Sequence, residues 1–206
     1  WTMSRFKFFI FLLISSVCIF RIIVKVSITV KEIEVKILEI NRKALISRLE
    51  ELGAEKSFDG EMLALFFDTQ EGDIYKSGDV LRLRKEGEET VLTYKKFVSQ
   101  GEAKIMEEFE TSIGDIIQMR AILDLLNFKL SKKTRKFRTQ YELGDTHIVI
   151  DNYQDELETI PEFMEIEAPG MERIAEMVEL LGYSIEDCKS WHTYDLVKHY
   201  KLSENV

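Results

Sequence analysis

The chain is short of the residues that build disulfide and thiolate-metal chemistry. It has only two cysteines, Cys18 and Cys188, with no metal spacing between them. A disulfide framework is therefore excluded, and reduced thiols in a cytoplasmic body are expected. The three histidines, His147, His192 and His199, share no ligand spacing and read as surface or packing residues. With only two prolines, Pro161 and Pro169, there is no proline-rich linker, and 206 residues suit one domain with at most an appendage. Positive charge is also in deficit. A formal net charge of −9 argues against a general nucleic-acid binder, although local cations can still hold a polyanion. Long apolar runs are scarce: the one present, Phe8 to Phe20, follows Arg5 and Lys7 and is closed by Arg21. It is short of the roughly 20 apolar residues that a full span needs. Residues 1–25, opening on Trp1, are expected to be a dispensable extension, with a membrane anchor or a cleaved signal as alternatives. Membrane contact is expected only there, and the working domain is expected over residues 26–206.

What the chain does have is charge in alternation. In Val30 to Leu38, Ile33, Val35 and Ile37 fall on one side and Glu32, Glu34 and Lys36 on the other. Period two makes this a strand with its charges on one face. Two like carboxylates side by side repel unless a cation lies between them. Hard divalent cations take carboxylate oxygens, and a lysine one step along can hold an anion beside the metal.

The same pattern recurs. Strands are expected at Lys56–Thr69, Val80–Lys85, Thr90–Phe97, Lys104–Ser112, Phe128–Leu143, Thr146–Asn152 and Glu162–Ala168, with a loop or short turn over 71–78. Amphipathic helices are expected from Asn41 to Leu52, Asp115 to Asn127 and Met171 to Leu181, with shorter ones over 184–189 and 191–200. Three times a strand bearing Glu-x-Glu precedes a helix that ends in Leu-Gly or Leu-Asn, at Gly53, Asn127 and Gly182. Such repetition points to duplicated architecture. About eight hairpin-linked strands with few helices imply an α+β fold, an antiparallel barrel closed or nearly closed, with helices outside.

One face of these strands offers acids Glu32, Glu34, Glu108, Glu110, Asp151, Glu165 and Glu167. It also offers bases Lys36, Arg82, Arg84, Lys95, Lys133 and Arg135. If the sheet closes, these line the bore. Buried charge is costly unless it pairs or binds something. Arginine forks and lysine point charges suit phosphate, and carboxylates suit magnesium or manganese. Both in one channel fit a metal-chelated polyphosphate; an internally neutralised salt-bridge network is the bland alternative. Lys96, Lys132, Lys136 and Arg138 lie on the other parity or at strand ends and are expected in solvent. Trp191, Tyr194 and Tyr200 are expected to be core or lid packing.

These motifs resemble those of the CYTH superfamily, the triphosphate tunnel metalloenzymes. Glu32-Ile33-Glu34-Val35-Lys36 resembles its E-x-E-x-K signature, and Leu81 to Lys85 its L-R-x-R strand. Thr93-Tyr94-Lys95, Glu107-Glu108-Phe109-Glu110 and Lys133-Thr134-Arg135 are similar to its T-x-K, E-E-x-E and K-x-R segments. Ile150-Asp151, Phe163 to Glu167, and Ser190 to Leu196 complete the set in order, from about Lys31 to Tyr200. The arginine usual before E-E-x-E is missing, and Lys104 is the nearest base. The likeness is strongest to proteins labelled class IV adenylyl cyclases. It implies an eight-stranded tunnel that binds a triphosphate (ATP, thiamine triphosphate or tripolyphosphate) with Mg2+ or Mn2+, as monomer or homodimer. Lys36, Arg82, Arg84, Lys95, Lys133 and Arg135 would hold phosphate oxygens, with Lys36, Lys95 and Arg135 the candidate catalytic cations. The seven acids would bind metal or orient the bases. Cyclisation of ATP is the first expectation, triphosphate hydrolysis the alternative, and a non-catalytic polyphosphate-binding module the third.

Overall fold

A computed structural model describes residues 30–202. The apolar run expected to be an extension or anchor, with Cys18, lies outside these residues, as do the side chains up to Glu32. Eight strands run β1 (Val30–Ile37), β2 (Glu55–Asp68), β3 (Val80–Glu86), β4 (Glu89–Gln100), β5 (Lys104–Ser112), β6 (Lys129–Leu143), β7 (Thr146–Tyr153) and β8 (Phe163–Ala168). Five helices accompany them: α1 (Arg42–Glu51), α2 (Asp73–Lys76), α3 (Ile116–Leu125), α4 (Met171–Leu180) and α5 (Thr193–His199). The strands close into one antiparallel barrel in the order β1-β5-β4-β3-β2-β6-β7-β8. Closure removes the unpaired edge that an open sheet would leave.

The helices form where the sequence signals them. Asn41 and Asp115 cap α1 and α3, each side chain accepting backbone N–H bonds from the first turn. The three repeat helices end alike. Gly53, Asn127 and Gly182 sit at φ +75°, +67° and +84°, the left-handed region that releases a helix. The next residue then bonds back across the turn, Ala54 to Leu49, Phe128 to Leu123 and Tyr183 to Val178.

The core lies between barrel and helices. Val35, Ile37, Ile148, Ile150 and Ile166 meet Leu45 and Leu49 of α1 and Ile174 and Met177 of α4. Leu65, Leu81 and Leu83 are covered by Leu123 of α3, with Ile116 and Met119. A third cluster seats the tail: Leu196 and Val197 of α5 pack on Tyr153, Leu157 and Phe163. Before α5 the tail pairs with β1, Lys36 and Lys189 exchanging backbone hydrogen bonds of 2.8 Å in both directions. Apolar side chains thus face outward under the helices, and the alternate side chains point into the bore.

Candidate active site

The three Glu-x-Glu strands come together. β1 lies between β5 and β8, with Glu34 opposite Lys104 on one side and Glu167 on the other. Facing this acidic wall, β4, β3 and β6 carry Lys95, Arg82, Arg84, Lys136 and Arg138. Between the walls lies a cavity of about 420 Å³.

The charges are held in pairs. Lys36 Nζ lies 2.8 Å from Glu165 and 3.2 Å from Glu34. Lys104 also contacts Glu34. Lys95 approaches Glu108 at 3.1 Å, and Arg82 approaches it at 4.0 Å. Arg84 donates to Glu110 at 3.0 Å, and the Thr93 hydroxyl donates to the same oxygen, also at 3.0 Å. Asp151 is fully buried and is gripped by Lys136 and by Arg138, whose Nε and Nη2 donate at 2.8 and 2.7 Å.

Burial and charge compete at each group. Burial opposes ionisation of Glu34, yet Lys36 and Lys104 hold its carboxyl well below the usual range. Glu165 behaves alike, chiefly through Lys36, Lys136 and Arg138. Burial disfavours the Lys36 cation, but Glu165 and Glu34 more than compensate and raise it. Lys104 and Lys136 shift down because burial outweighs their partners. Arg82 shifts down too, through burial and the adjacent Arg84. Arg82 and Arg84 each keep a buried Nε–H without an acceptor. The bore therefore holds cations that its own acids do not fully satisfy.

Glu34, Lys36, Arg82, Arg84, Lys95, Glu108, Glu110, Glu165 and Glu167 all face the bore, as the alternation predicts. Asp151 sits behind it as the anchor of two cations. Glu32 is on β1, its side chain outside the described residues. Lys133 and Arg135 correct the expectation: both are exposed on the outer side, and Arg135 forms a bidentate pair with Asp155 at 2.6 and 2.7 Å. The bore-facing residues of β6 are Thr134, Lys136, Arg138 and Gln140. Lys136 and Arg138, expected in solvent, are buried. The signal was available. Tyr141 is core-facing, and counting back in twos puts Phe137, Arg135 and Lys133 outside. Lys104, Glu86 and His192 were also missed as lining residues. Lys104 stands where the family's arginine pattern is broken; Glu86 follows Arg82 and Arg84 at period two.

One mouth of the bore opens on a second cavity of about 780 Å³, lined by Phe66, Ile74, Tyr75, Leu81 and Tyr194 among others. Phe66, Val80, Thr134, His192 and Thr193 line both spaces. His192 is half-buried, and burial followed by Lys104 and Lys36 pushes its pKa down.

Residues 30–181 match the model of the CYTH domain family. The chain belongs to the CYTH family. Among curated CYTH relatives, a protein named "Putative adenylate cyclase" from Methanocaldococcus jannaschii is 29% identical over 139 residues, 66% of this chain and 75% of that one. Among solved structures, a "putative adenylate cyclase" from Vibrio parahaemolyticus superposes with a TM-score of 0.69 at 17% identity, covering 82% of this chain and 98% of that one. A Hippeastrum "putative adenylyl cyclase" described as having a dominant triphosphatase activity gives 0.61 at 19%, covering 84% and 98%. At these identities the structures support the fold alone.

Among the described residues no three acidic, histidine or cysteine side chains converge as a ready-made cage. Glu34 and Glu167 do face each other across β1 and β8, a like-charge pair that a cation would relieve. Magnesium favours this arrangement, because it takes one or two carboxylates and completes its shell with water and substrate phosphates. The residues present fit the ion.

Proposed function

We propose that the protein is a metal-dependent enzyme that cleaves an organic triphosphate in its bore, with ATP as substrate and cyclic AMP and diphosphate as products. The observation that carries this reading is the union of three features. A cationic wall faces an acidic wall, and one end of their shared channel opens on a half-apolar cleft. The first suits phosphate oxygens, the second a chelated cation, the third a ring system.

Lys36, Arg82, Arg84, Lys95, Lys104, Lys136 and Arg138 are the proposed phosphate-holding groups. Glu34 and Glu167, with Glu32, would hold Mg2+ or Mn2+. The bound cation would neutralise developing phosphate charge and assist the nucleophile. Asp151 and Glu165 fix the directions of Lys136, Arg138 and Lys36. In cyclisation the ribose 3′-hydroxyl attacks the α-phosphorus, and the bond to the diphosphate leaving group breaks. What the chain supplies is alignment and stabilisation of spreading negative charge. This reading puts the enzyme in the cytoplasm, with membrane contact confined to residues 1–25.

A second reading is hydrolysis, water attacking the terminal phosphorus. It is supported by the mouth opposite the cleft, where exposed Glu89 and His147 admit solvent. Incubating the full chain with ATP, thiamine triphosphate and tripolyphosphate in Mg2+ or Mn2+ separates the outcomes. Cyclic AMP with diphosphate is the expected result. Orthophosphate selects the hydrolase, and binding without product selects a non-catalytic module. Chelation by EDTA is expected to abolish turnover.

A further inference from the structure

Along the strands of the bore, residue type changes with distance from the cleft. On β3 the bore-facing order is Val80, Arg82, Arg84, Glu86; on β6 it is Thr134, Lys136, Arg138, Gln140. Val80 and Thr134 are the members that also line the cleft. Both strands thus run from cleft wall through two cations to a group with no positive charge. β4 reaches the same far end at Glu89, which pairs with Glu86 across the hairpin, and on β5 Glu110 lies opposite Thr93 and against Arg84, at the last cation layer. Among the described bore-lining residues, no lysine or arginine lies beyond the Arg84–Arg138 layer. The other group there that can carry positive charge is His147, and its Nδ1 is 2.6 Å from Glu142.

The acids at this end sit against the last cations. Glu86 lies 3.5 Å from Arg84 and 3.9 Å from Arg138, and Glu110 lies 3.0 Å from Arg84. Glu86 Oε1 is buried and accepts no hydrogen bond; the two guanidiniums are its ion-pair partners. The distance is finite. Glu86 is six residue steps beyond Val80, about 20 Å along the strand, and less along the bore because barrel strands tilt.

We propose that Glu86, Glu89 and Glu110 form an acidic stop that limits the substrate to three phosphates. This rests on the reading of the bore as an organic-triphosphate site. With the organic group in the cleft, successive phosphates lie beside Lys36 and Lys104, then Arg82 and Lys136, then Arg84 and Arg138. A fourth phosphate meets carboxylates instead of cations. The substrate is thereby oriented as well as counted, its terminal phosphate lying at the Arg84–Arg138 layer.

The test compares ATP with adenosine 5′-tetraphosphate on the full chain, each displacing a fluorescent ATP analogue in Mg2+. The wild type is expected to bind the tetraphosphate at least about tenfold more weakly, the discrimination that like-charge juxtaposition gives. Glu86→Gln is expected to narrow that gap severalfold. Because Glu86 lies against Arg84 and the buried Arg138, Glu89→Gln serves as a second variant at an exposed position, with folding checked by circular dichroism. A wild type that binds both nucleotides alike overturns the stop while leaving the organic-triphosphate reading intact. So does a gap unchanged in both folded variants, and so does a tetraphosphate that binds tighter, which would mean a cation neutralises this layer. A wild type that binds neither nucleotide overturns the reading of the bore and the stop together.

Discussion

Asp151 shows how a single residue can be structural inside a site built for chemistry. It accepts from Lys136 and Arg138 with no exposure to water, so its loss strands two buried cations. Asp151→Asn is expected to destabilise the fold by about 3–5 kcal/mol in urea unfolding. Asp155→Asn, which removes the exposed partner of Arg135, is expected to cost no more than about 1 kcal/mol. Function should divide the same way. Arg84→Ala removes a charged contact worth about 1.5–3 kcal/mol, so KM for ATP should rise by about tenfold or more. Lys133→Ala and Arg135→Ala should leave KM unchanged, because both side chains stand outside the bore. At this scale the sequence was informative about Glu34, Lys36, Arg82 and Arg84, whose strands alternate apolar and charged residues cleanly. It misled on β6, where Lys132 to Arg138 offers a cation at five of seven positions and charge alone does not mark the inner face.

Among the elements, the tail depends most on tertiary contacts. α5 is only seven residues long, and its place is set by Leu196, which is fully buried against the barrel end. So short a helix is not stable by itself. The residues just before and within it, His192, Thr193 and Tyr194, line the cleft. Leu196→Ala should cost about 2–5 kcal/mol of stability in denaturant unfolding. It should also raise KM for ATP more than KM for inorganic tripolyphosphate, which has no group to place in the cleft. Strand and helix positions were largely legible, since apolar periodicity, the Asn41 and Asp115 caps and the left-handed Gly53, Asn127 and Gly182 all act locally. The short α2 was not, because its four residues carry no periodicity to read; Asp68 organises it by accepting N–H bonds from Thr69, Ile74 and Tyr75.

For the whole molecule, the bore makes stability depend on pH. Glu34 and Glu165 are 4.5-type carboxyls held lower in the folded protein, with burial opposing and the neighbouring lysines and arginine prevailing. The folded state therefore binds fewer protons than the unfolded state around pH 4.5. Their contribution is complete above that pH and drains away as pH falls below it. The urea midpoint should drop steeply between about pH 5 and 3, and less steeply in Glu165→Gln. The barrel itself was legible from the number of alternating strands. Strand order was not, because no local feature of β1 says that it will lie between β5 and β8. Repulsion among the three Glu-x-Glu strands argues against their lying side by side.

The pairing of β1 with β8 sets a condition on how the protein comes into being. A nascent chain has made the other seven strands before residues 163–168 leave the ribosome, and until then the cylinder has a gap. Its acids and bases stay hydrated in that interval, free to choose wrong partners. Closing the wall joins residues far apart in the chain, and contacts of such long sequence separation are slow to form.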